Sequence, residues 1–117
     1  MDNNTWTSNV LDAVRRIADE SYQRDAWFGS GDRVSSPEEI YCELFDDFSY
    51  EMFLASPDIH LTDLQRSFGE RLRDALNQYA DVTNSIADPK VVFSDPRWCH
   101  IRQLAWDFVT AFPLVVP

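Results

Sequence analysis

The chain is 117 residues long, with 20 acids against 10 bases and a formal net charge of −10. With Lys90 its single lysine, it lacks the clustered cations that binding to nucleic acid or anionic lipid requires. Apolar residues make up 44% and aromatics 14%, too many for intrinsic disorder, so the chain is expected to fold as one domain over 1–117 around an unstapled core.

The start, Met1-Asp2-Asn3-Asn4-Thr5, has neither the basic residues nor the apolar run of a signal peptide. No apolar stretch reaches the roughly 18 residues of a membrane span, and a cytoplasmic protein is expected. Apolar spacing through Trp6, Val10, Ala13, Val14 and Ile17 predicts a first helix near 6–24, capped by Thr5, Thr7 or Ser8. Trp27-Phe28-Gly29-Ser30-Gly31-Asp32 reads as a loop with aromatic anchors, whose Trp27 and Phe28 serve either an interface or the core. Ser36-Pro37-Glu38-Glu39 is a strong helix start: cap, first-turn proline, then a glutamate able to reach back to the cap. The stripe Ile40, Tyr41, Leu44, Phe45 and Phe48 follows, and one bent helix or two short ones fit the run to Ser56-Pro57.

Thr62-Asp63-Leu64-Gln65 opens the clearest helix, with Leu61, Leu64, Phe68, Leu72, Ala75, Leu76 and Tyr79 expected inside. Gly69 within it marks close approach of another helix, at a propensity cost of about 1 kcal/mol relative to alanine. Asp88-Pro89 and Asp95-Pro96 each read as a cap followed by proline, and Val91-Val92-Phe93 between them reads as a short helical turn, with a strand of this length the alternative that periodicity leaves open. The face Trp98, Ile101, Leu104, Ala105, Phe108, Val109 and Phe112 predicts a last helix ending at Pro113. With no alternating strand pattern and no hairpin turn, the expected class is all-α, five to seven helices in a single compact domain.

Cys42 and Cys99 fit no metal or disulfide pattern and are expected as reduced core thiols. His60 and His100 belong to no ligand spacing, and no phosphate loop or nucleophile elbow occurs, so the chain is expected to be non-catalytic, without metal or cofactor.

The acids are unevenly placed. Between Val34 and Gln65 lie Glu38, Glu39, Glu43, Asp46, Asp47, Glu51, Asp58 and Asp63, with no lysine or arginine. First-turn positions suit Glu38, Glu39 and Asp63 to the helix dipole, and Asp47 is a candidate cap for the next segment. Glu43 and Asp46 have no such local reason. On a continuous helix Glu39, Glu43, Asp46, Asp47 and Glu51 are like-charged neighbours three or four apart, costing on the order of 1 kcal/mol in all. A single-sign surface of this kind steers a cationic partner, and Glu38, Glu39, Glu43, Asp46, Asp47 and Glu51 are its expected contacts. Neutralising Glu43 and Asp46 is expected to leave the fold as stable or slightly more so. A merely solvated helix face is the plainer alternative.

An acidic helical chain bearing Trp27-Phe28-Gly29 and then Ser35-Ser36-Pro37-Glu38-Glu39-Ile40-Tyr41-Cys42-Glu43-Leu44-Phe45-Asp46-Asp47-Phe48 resembles immunity proteins of bacterial toxin systems, particularly those of contact-dependent growth inhibition. The resemblance implies a basic cognate toxin domain as partner, often a nuclease, neutralised by covering or crowding its active site. It implies no roles for individual residues. The alternatives carried beside it are a nucleic-acid mimic, a structural subunit binding another basic protein, and an enzyme or metal protein using the same carboxylates.

Overall fold

Short polar side chains set most of the helix starts. In the computed structural model, which describes residues 2–29, 36–82 and 88–113, Asp2 accepts the Thr5 amide and opens α1 (Asn3–Ala18), upstream of the expected cap. The helix expected over 6–24 is two helices. Asp19, in extended backbone, ends α1 and caps α2 (Glu20–Phe28) by accepting the Tyr22 amide, so a local capping bond interrupts an unbroken apolar stripe. Trp27 and Phe28 finish α2 instead of lying in a loop. Trp27 is half-buried against Trp98 and Phe93, the core role, whereas Phe28 is 44% exposed with its edge on Phe93. Gly31 lies outside the described residues.

Ser36 accepts the Glu39 amide and α3 (Pro37–Cys42) starts at its proline, as expected. It runs on into one π turn over Glu43–Asp47, where the Phe48 amide donates to the Glu43 carbonyl. Ser49 then adopts left-handed backbone at φ 51°, a cost of roughly 1–2 kcal/mol for a residue with a Cβ. The Trp6 indole N–H donates to the Phe48 carbonyl at 2.7 Å and ties this turn to α1. α4 (Tyr50–Ala55) is therefore a separate short helix, and no side chain caps it, Asp47 included.

In α5 (Asp63–Val82) the capping box is complete: Thr62 Oγ1 accepts the Gln65 amide and Gln65 Oε1 accepts the Thr62 amide. Gln65 also donates to the Ala111 carbonyl, which draws it inside and leaves Leu64, expected to be buried, 58% exposed. Leu72, Leu76 and Tyr79 are buried as expected, and Leu61, Phe68 and Ala75 are half-buried. Asp88 and Asp95 cap α6 (Pro89–Ser94) and α7 (Pro96–Thr110), both opening on proline.

The described residues form seven α-helices and no strand, a single all-α domain of 38 × 33 × 22 Å. α7 lies against both α1 and α5, and its Trp98, Ile101, Leu104, Ala105 and Phe108 close the core with Val10, Val14, Ile17, Leu72 and Leu76. α3, the π turn and α4 fold over the flank of α1.

The α6–α7 junction carries a titratable device. Asp95 accepts two hydrogen bonds from the Arg97 guanidinium, one from the Arg97 amide and one from the Tyr79 hydroxyl. The Arg97 side chain above all, and then its amide and Tyr79, hold the Asp95 carboxyl down at about 2. Burial, helped by Asp95, pushes Tyr79 up to about 12. A carboxyl depressed on folding stabilises the fold above its unfolded value and loses that contribution as the pH falls. Asp95→Asn keeps a capping side chain but cannot titrate. The stability difference between parent and variant in urea titrations should therefore narrow from about pH 4 down to about pH 2. A difference independent of pH across that range would refute the assignment.

Candidate functional site

The kinked segment from α3 to α4 arranges the acids of the base-free window. Its outer surface carries Glu38, Asp46 and Asp47, all exposed, on either side of the exposed Cys42. Partial burial and then the carboxylates of Asp46, Glu38 and Asp47 push the Cys42 thiol up, so all three lie within electrostatic reach of its sulfur. Cys42 is not a core thiol. Neither is Cys99, whose Sγ lies 3.5 Å from Arg102 Nη1 on exposed surface. The lack of a metal or disulfide pattern did not imply burial: α3 and the π turn bury Ile40 and Leu44 and leave position 42 on the outer side.

Glu51 lies beyond Tyr41. The Tyr41 hydroxyl donates to Asn77 Oδ1 at 2.8 Å, and Asn77 Nδ2 reaches Glu51 Oε1 at 3.5 Å. Burial first, then Asp81 and Glu51, push Tyr41 up, so Asp81 of α5 belongs to the same surface. Asp81 stands outside the window. Its one available signal is its place one helical turn beyond Asn77, which becomes informative only once Asn77 is known to meet Tyr41. Arg73 of α5 also senses Glu51, but its ion pair, at 3.0 Å, is with Asp74.

Glu43 differs from the others. The π turn directs it toward α1, where its half-buried carboxylate forms an ion pair with Arg16. The lack of local compensation read from the sequence is therefore met, for this residue, by a base 27 positions away. Removing the Glu43 charge would leave a half-buried Arg16 without its partner, which reverses the stability expected of that substitution. The four-residue relation between Asp47 and Glu51 is also lost, because the left-handed Ser49 separates their helices. Glu39 is exposed, and its amide is occupied by the Ser36 cap.

Of the eight carboxylates in the window, Glu43 alone has a base within ion-pair distance among the described residues. Five of the remaining seven, Glu38, Glu39, Asp46, Asp47 and Glu51, lie on α3, the π turn and α4 and are exposed without a matched cation among the described residues, while Asp58 follows α4 and Asp63 opens α5. His60 and His100 are exposed. Among the described residues no group of three or more His, Cys, Asp or Glu is close enough to hold a metal, and no helix is long and apolar enough to cross a membrane. No protein-family model matches the chain, and comparison with curated proteins and with solved structures finds no match.

Proposed function

We propose that this chain is a non-catalytic cytoplasmic inhibitor that docks a basic protein on the surface of Glu38, Asp46, Asp47, Glu51 and Glu39, with Asp81 at its edge. The supporting observation is that Glu38, Glu39, Asp46, Asp47 and Glu51, on three successive short elements, all lack a base within ion-pair distance among the described residues, although ten bases exist in the chain. An uncompensated field of one sign raises the rate of encounter with a cation and fixes its orientation more than it adds affinity. The resemblance to immunity proteins gives that partner its class: the basic toxin domain of a contact-dependent growth inhibition system, with a nuclease the leading candidate. Carboxylates held where substrate phosphates would sit neutralise such an active site without chemistry.

The test is binding to the basic protein that affinity capture on this chain recovers from the native cell at low salt, with Glu38→Gln, Asp46→Asn and Asp47→Asn combined and Glu43 left in place. The triple variant should keep its stability within about 0.5 kcal/mol, since it relieves like-charge repulsion. Its association should slow by roughly tenfold or more at low salt, a gap that closes as salt screens the field. Cys42 reports the site directly, because a docked partner should protect it from alkylation. Equal association rates at low salt with Cys42 unprotected would eliminate this surface as the docking site.

A further inference from the structure

Between α5 and the start of α7 lies a groove of about 510 Å³. Its floor and walls are Ala75 and the Tyr79 ring on α5 with Pro96 and Ile101 on α7, and its mouth carries Arg97 and His100. Among the described residues no carboxylate lines it, in a chain whose acids outnumber its bases two to one. Asp95 is close by but engaged: its side chain is only 9% exposed and accepts from Arg97 Nε and Nη2 and from the Tyr79 hydroxyl. That pairing holds the guanidinium 5.2 Å from the Tyr79 ring centroid, leaving Nη1 without a partner among the described residues and the Arg97 side chain 57% exposed. His100, one turn further along α7, is exposed on the same rim.

The size falls within the roughly 300–1,000 Å³ of small-molecule sites, which combine apolar walls with a few placed polar groups. We infer that the α5–α7 groove binds a small aromatic anion, its ring between Ala75, Pro96 and Ile101 and its anionic group at Arg97 Nη1 and His100. The sign follows from the rim: the Arg97 guanidinium with Nη1 free, the His100 imidazole beside it and no acid among the described lining residues favour a carboxylate or sulfonate over a cation. The site shares no residue with the acidic docking surface and stands or falls without it.

The probe is 8-anilinonaphthalene-1-sulfonate, titrated into the full chain and followed by fluorescence. It should bind saturably at one site. Ala75→Phe, which fills the groove, and His100→Glu, which places a carboxylate on the rim, should each weaken binding by about fivefold or more, with unchanged circular dichroism. Uncharged N-phenyl-1-naphthylamine should bind weaker by a similar factor, whereas Trp106→Ala, at the largest exposed aromatic elsewhere, should change nothing. Should Ala75→Phe fail to fold, His100→Glu and the uncharged probe still decide. Absence of saturable binding, equal affinity in His100→Glu, or equal affinity for the uncharged probe would each overturn the proposal.

Discussion

Gln23→Leu is expected to destabilise the fold by about 3–5 kcal/mol, because one buried amide satisfies both ends of a helix junction. Its Nε2 donates to the carbonyls of Arg16 and Ile17 at 2.9 and 2.7 Å, two of the last acceptors of α1, which a helix cannot satisfy from within. Its Oε1 accepts from Trp98 Nε1 at 3.1 Å and from Arg102 Nε at 2.8 Å, both on α7. Arg102 passes the connection on by donating to the Phe93 carbonyl at the end of α6. Gln23 is fully buried, so water cannot replace these bonds without opening the core. Leucine matches the amide in volume but leaves two donors and two acceptors unmet, each at roughly 1–3 kcal/mol before relaxation. The midpoint of urea unfolding should fall with little change in slope, since the surface exposed on unfolding is nearly the same. A loss below about 1 kcal/mol would mean that the junction rearranges and that Gln23 does not hold it.

Hydrophobic periodicity could not have revealed that residue, since it scores glutamine as surface. The same blindness worked in reverse at Leu64 and Gln65, where the capping box and the bond to Ala111 put the amide inside and the leucine out. The information read correctly was local. The starts at Ser36, Thr62, Asp88 and Asp95 are each set by bonds spanning two or three residues, and each was legible. Asp19 carries the same chemistry but lies inside a continuing apolar stripe with no glycine or proline beside it, so the break there was hidden. The π turn inserts a residue into the helical period without changing composition, and it alters where every later side chain points. For the acidic surface, the sequence supplied the charge and its crowding. It could not supply the pairing of Glu43 with Arg16 or the approach of Asp81, which depend on how separate helices pack.

Gly69 was the one tertiary contact predicted from a local feature, and it gives the second large effect. A Cβ there would lie 2.7 Å from Leu54 Cδ2 and 2.9 Å from Phe108 Cε1, and the Gly69 carbonyl accepts the Tyr50 hydroxyl at 2.8 Å. Leu54 and Phe108 are 2% and 0% exposed, so neither has room to withdraw. Alanine in a helix interior normally gains about 1 kcal/mol over glycine, and overpacking of this kind costs about 1–3 kcal/mol. The clash should win: Gly69→Ala is expected to lose about 1–2 kcal/mol and Gly69→Val about 3 kcal/mol or more. A double-mutant cycle separates crowding from propensity. Leu54→Ala removes the methyl that a Cβ would strike, so Gly69→Ala should cost at least about 1 kcal/mol less in that background than in the parent. If Gly69→Ala instead stabilises the parent by its propensity gain, or if the cycle shows no coupling, α4 and α7 do not approach α5 as closely as the backbone at Gly69 requires.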